Sequence, residues 1–114
     1  MRKEFSKIST LLTAVLLFMT VVSISSCSKD TPGPDQVFMQ NTAFNPQSIT
    51  VAVNSMVTWT NKDNMTHNVT STTGAFVSGN IAPGATYTLQ FTTAGTYNYT
   101  CTIHAGMTGS VVVH

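Results

Sequence analysis

The chain has 114 residues and few charges: five Lys or Arg against four Asp or Glu, a formal net charge of +1. So sparse a set excludes a basic face for nucleic acid and an acidic field that steers partners from a distance. The length allows one small domain, whose docking surface must work by shape and apolar contact.

The chain opens on a short basic stretch, MRKEFSK, followed by the apolar run Leu11 to Val22 and the small residues Ser23 to Ser26. Charged start, apolar middle and small residues at the cut are the layout of a secretory signal. A spanning helix needs about 20 apolar residues, and this run is shorter and broken by Thr13 and Thr20. The segment Ile24-Ser25-Ser26-Cys27 resembles a bacterial lipoprotein box. That resemblance implies a signal peptide over residues 1–26, lipid on Cys27 and a place in the bacterial cell envelope, periplasm or cell surface. More than one acyl chain makes such anchoring stable. An ordinary cleaved signal and an uncleaved anchor are the alternatives. With Cys27 lipidated, Cys101 is the one thiol left in the folded domain, and an odd cysteine in a secreted protein needs a role.

Residues 28–36 (SKDTPGPDQ) are polar and rich in Pro and Gly, so 27–36 reads as a lipidated cysteine with a flexible tether. From Val37 to His114 the pattern is β, dominated by Thr, Val, Phe, Tyr and Ile. Ile49, Val51 and Val53 alternate with polar or small residues, Asn54-Ser55 breaks the run, and Met56 to Thr60 resumes it. A strand is predicted over His67 to Thr72. Pro83-Gly84 turns the chain, Tyr87, Leu89 and Phe91 alternate, and Ala94-Gly95 turns it again. Tyr97, Tyr99 and Cys101 then share a face, and Ser110 to Val113 closes the domain. Short strands separated by turn signals predict an all-β sandwich or barrel, each strand with one buried face.

The chemistry concentrates in Cys101-Thr-Ile-His104-Ala-Gly-Met107, spaced Cys-x2-His-x2-Met. A thiolate, an imidazole and a thioether lie within seven residues, in a loop where Gly106 permits a tight path. Three ligands from one loop do not impose a geometry. His67, after the polar stretch Asn61 to Thr66, is the candidate fourth. Thiolate and thioether favour copper, and a His2Cys set with a weak axial Met is the description of a blue-copper electron-transfer site. Zinc is the rival metal, but structural zinc prefers four strong N or S donors. Singly, a Cys, a His or a Met in a β-domain is most often packing material. Jointly, the arrangement points to one copper ion. His114, the last residue, reads as an exposed terminus with no ligand role.

The segment Gly95 to Val113 (GTYNYTCTIHAGMTGSVVV) resembles the C-terminal hairpin of the cupredoxins, the type 1 blue copper proteins, and amicyanin in particular. Val57 to Val69 (VTWTNKDNMTHNV) is similar to the strand and loop carrying that family's first His ligand. The resemblance covers nearly all of 37–114. It implies a Greek-key sandwich of about eight strands, with copper near one end. His67 and Cys101 would be strong ligands, His104 the more exposed one and Met107 the axial one. It also implies that Asn68 ties the two ligand loops together with Thr102 as its partner, and that Tyr97 either forms a corner before Cys101 or packs in the core. Amicyanins tend to carry proline on each side of the second His; here Ile103 and Ala105 stand there. Proline removes a donor and fixes the backbone, so a looser loop and a further N–H toward the Cys101 sulfur are implied.

The functional expectation is a monomeric electron carrier, not an enzyme, cycling Cu(I) and Cu(II). Redox partner proteins would dock near His104, beside Ala105, Met65 and Pro83. A copper trafficking or storage lipoprotein is the second reading, and a metal-free structural sandwich the third.

Overall fold

The computed structural model describes residues 31–114. The expected signal peptide, Cys27 and the start of the tether lie outside the described residues. Eight strands follow one another: β1 (Gln36–Gln40), β2 (Ala43–Asn45), β3 (Ser48–Val51), β4 (Met56–Asn61), β5 (Thr70–Ser71), β6 (Thr86–Gln90), β7 (Gly95–Thr100) and β8 (Thr108–Val113). They form two four-stranded sheets, in the orders β2-β1-β4-β6 and β3-β8-β7-β5. β1 runs parallel to β4, and β3 parallel to β8; the remaining pairs are antiparallel. The all-β sandwich expected from the short alternating runs is the fold observed.

Alternation explains which side chains fill the space between the sheets. In β4, Val57, Trp59 and Asn61 point inward while Met56, Thr58 and Thr60 face out. In β8, Gly109, Val111 and Val113 do the same. Trp59 stands edge-on to Tyr99 at 5.5 Å between ring centroids, and Phe76 edge-on to Phe91 at 5.7 Å. Each fully buried side chain of this size contributes roughly 1.5–3 kcal/mol. Phe38, on the outer face of β1, is also buried, with the Lys62 ammonium 4.7 Å from its ring centroid.

The ordered fold begins ahead of Val37. Gln36 opens β1, and the Asp35 carbonyl accepts the Thr58 N–H at 3.0 Å. Val53 lies past the end of β3 and is 37% exposed, although it continues the alternation of Ile49 and Val51. The strand predicted over His67 to Thr72 is shorter than expected: only Thr70–Ser71 pair as a strand, while His67 makes an isolated bridge with Ile81. The reason is local. The Asn68 N–H goes to the Cys101 sulfur and the Val69 N–H to Ser78 Oγ, so neither is free for a ladder. Tyr97 does form a corner: its hydroxyl donates to the Thr93 carbonyl at 2.7 Å, while its ring packs on the core.

Candidate metal centre

Two connections meet at one end of the sandwich: residues 62–69 after β4, and residues 101–107 between β7 and β8. The second is a closed loop. Cys101 N–H donates to the Met107 carbonyl at 2.9 Å, Met107 N–H to the His104 carbonyl at 3.3 Å, and Thr100 Oγ1 to the Met107 carbonyl at 3.0 Å. Gly106 turns the loop at φ 82°, a left-handed conformation that costs glycine little. Cys101 and Met107 are buried, whereas His104 is half-buried.

The first connection is built around Asn61, which is fully buried. Its Nδ2 donates to the carbonyls of Met65 at 2.7 Å and Ile81 at 2.9 Å, and its Oδ1 accepts the Asp63 N–H at 2.9 Å. A buried amide so fully satisfied fixes a loop. His67 follows, with 0% exposure, held to Ile81 by two backbone hydrogen bonds of 3.2 and 2.7 Å.

The two connections bring together His67, Cys101 and His104, whose donor atoms all lie within 4.8 Å of one another. His67 Nδ1 and His104 Nδ1 are 3.1 Å apart, and Cys101 Sγ lies 3.8 and 3.7 Å from them. A point in their plane equidistant from these three atoms lies about 2.1 Å from each, within the roughly 2.0–2.3 Å range that zinc–nitrogen and zinc–sulfur bonds span. The triangle is therefore the right size for one metal ion. Met107 is buried at the end of the same loop, and the donor set of thiolate, two imidazoles and a nearby thioether suits copper. His114 stands apart, with its backbone paired to Val51 and Val53.

The surrounding bonds hold these donors. Asn68 N–H donates to Cys101 Sγ at 3.4 Å, and Asn68 and Thr102 exchange two further hydrogen bonds, as the resemblance implied. Among the described residues no second backbone N–H reaches the sulfur, so the loop without flanking prolines does not supply one.

Two contributors were not singled out in the sequence. Asn61 carries a signal, since a polar residue continues the inward series Val57, Trp59. Asp63 stands four residues ahead of His67, and its Oδ2 accepts from His67 Nε2 at 2.8 Å. Desolvation pushes its carboxyl up, but the Thr42 amide, the His67 ring and the Asn41 amide outweigh that and hold it below the usual carboxylate value.

Comparison with known proteins agrees with this geometry. A family profile described as a cupredoxin-like domain matches residues 11–113. A chloroplastic plastocyanin from Tetradesmus obliquus is 37% identical over 83 residues, covering 61% of this chain and 57% of its own length. Amicyanin-alpha from Methylorubrum extorquens is 34% identical over 86 residues, covering 71% of this chain and 72% of its own. Among solved structures, a reduced Cu(I) form of an amicyanin variant at pH 4 superposes with a TM-score of 0.67 at 30% identity, covering 79% of this chain and 88% of that one.

Proposed function

Because the chain belongs to the cupredoxin-like family, we propose that it is a type 1 blue copper electron carrier, with His67, Cys101 and His104 as strong ligands and Met107 as the weak axial one. The observation that carries this reading is the triangle of Nδ1, Nδ1 and Sγ, sized for one metal ion. Bound copper would supply a one-electron couple between Cu(II) and Cu(I). The residues of the chain do the rest. The closed 101–107 loop and the Asn61-braced connection hold the donors, so little needs to move when the charge changes. Burial of His67, Cys101 and Met107 keeps water from the site, and half-buried His104 offers the path in and out for the electron.

Partner proteins dock, on this reading, around His104, with the uncharged and exposed Ile103 (47% exposed), Met65 (43% exposed), Ala105 and Pro83 as the side chains they would meet. The protein performs no bond chemistry and is not an enzyme: four protein donors leave no open position for a substrate. Residues 1–26 act as a signal peptide, Cys27 carries the lipid, residues 28–36 include the tether, and the protein works at the cell envelope. A trafficking or storage role fits less well, because ligands braced from both loops do not favour release of the metal.

Cyclic voltammetry of the copper-loaded protein tests the carrier role. A reversible one-electron wave without metal loss supports it, and irreversible loss of copper on reduction refutes it. Mass spectrometry of the N-terminus tests the anchor: an acylated Cys27 is expected, and a mature start elsewhere contradicts it.

A further inference from the structure

Asp63 makes three contacts that no structural turn requires together. Its Oδ1 accepts the Asn41 N–H at 2.7 Å. Its Oδ2 accepts the Thr42 N–H at 2.9 Å and faces His67 Nε2 at 2.8 Å. Asn41 and Thr42 form the turn between β1 and β2, and both adopt left-handed backbone angles, φ 57° and 56°. Such angles are costly for residues other than glycine, and they persist when surroundings hold them. Here one carboxylate receives both amides. The Asp63 side chain is itself 13% exposed. Neighbouring Lys62 does not pair with it; that ammonium lies over Phe38.

We propose that Asp63 is a positioning residue that ties the β1–β2 turn to the buried ring of His67 and sets how that ring presents Nδ1 to the metal. This rests on the copper reading above. The carboxylate keeps the His67 proton on Nε2, which leaves the Nδ1 lone pair directed at Cys101 and His104. Its negative charge, 2.8 Å behind the ring, also favours the more highly charged Cu(II) over Cu(I). The two imidazoles are thereby made unequal. His67 is anchored on its far side, while His104 Nε2 has no hydrogen-bond partner among the described residues.

Asp63→Asn and Asp63→Ala test this in the full chain. Both remove the charge; the first keeps the shape. The expected result is a folded protein that still turns blue with copper. Its reduction potential should be raised, its Cu(II) affinity lowered about tenfold or more, and amide exchange at Asn41 and Thr42 accelerated. An unchanged potential and unchanged Cu(II) affinity in a folded variant would show that Asp63 only caps the turn, and would overturn the proposal. Should neither variant fold, nitrogen-resolved NMR of the native metal-free protein decides: His67 protonated at Nε2 supports the assignment, and protonation at Nδ1 overturns it. A native protein that shows the Nε2 proton yet binds no copper would refute the copper reading while leaving the Asp63–His67 link intact.

Discussion

Asn68 and Thr102 hold each other by two hydrogen bonds: Asn68 Nδ2 donates to Thr102 Oγ1 at 2.8 Å, and Thr102 N–H donates to Asn68 Oδ1 at 3.1 Å. Each residue directly follows a proposed ligand, His67 or Cys101. Thr70 Oγ1 adds a third bond to the same Oδ1 at 2.9 Å, and Asn68 N–H reaches the Cys101 sulfur. One amide side chain thus fixes the distance between the two ligand connections before any metal arrives.

Replacing Asn68 with Ala should therefore act on both stability and the site. The Thr102 N–H loses its partner, and a part-buried hydrogen bond of this kind contributes about 0.5–1.5 kcal/mol. Thermal unfolding of the metal-free protein should register the loss, and the copper-loaded variant should show a shifted visible band. A variant with native stability and spectrum would mean that the two connections are held by other contacts.

Met107→Gln should lower the reduction potential, because a harder oxygen donor favours Cu(II) over Cu(I). Voltammetry of native and variant protein checks this. An unchanged or raised potential would argue that Met107 is not the axial ligand.

Gly109→Ala should destabilise the sandwich. A Cβ at this position in β8 would lie 2.6 Å from the Tyr99 ring, and Tyr99 is almost fully buried on the paired strand β7. Overpacking of this kind costs roughly 1–3 kcal/mol. Chemical denaturation gives the difference directly, and Gly109→Ala with native stability would show that Tyr99 has room to move.

Tyr99 also sets an alkaline limit. Burial pushes its hydroxyl up to about 12, with the nearby Trp59 indole working weakly in the other direction. Among the described residues, neither Tyr99 OH nor Trp59 Nε1 has a hydrogen-bond partner. A pKa raised in the folded state means that the unfolded chain ionises first. The stabilising contribution is complete below the ordinary tyrosine value near pH 10 and is lost as pH rises toward about 12. Denaturation midpoints across that window should fall, and Tyr99→Phe should flatten the fall while costing little at neutral pH. An equally steep fall in Tyr99→Phe would assign the alkaline transition to another group.

The candidate donors were legible because their chemistry is local: a thiol, an imidazole and a thioether spaced Cys-x2-His-x2-Met stand within seven residues, and the fold brings Cys101 and His104 together with His67. The strands were legible where one face alone is buried, as in β4 and β8. The strand expected from His67 failed because Asn68 and Val69 spend their N–H groups on Cys101 and Ser78, partners distant in sequence. The same distance hid Asp63, whose amide partners Asn41 and Thr42 come more than 20 residues earlier. Nor does alternation predict that Phe38 is buried on the outer face, where the Lys62 ammonium, from just past the end of another strand, lies 4.7 Å from its ring centroid.

The most direct test of the central claim is the visible spectrum of the purified protein with Cu(II), before and after ascorbate. An intense blue band that bleaches on reduction and returns on oxidation is the predicted result, and it requires a Cys101 thiolate bound to copper in a reversible couple. A protein that binds copper without colour, or binds none, would contradict it.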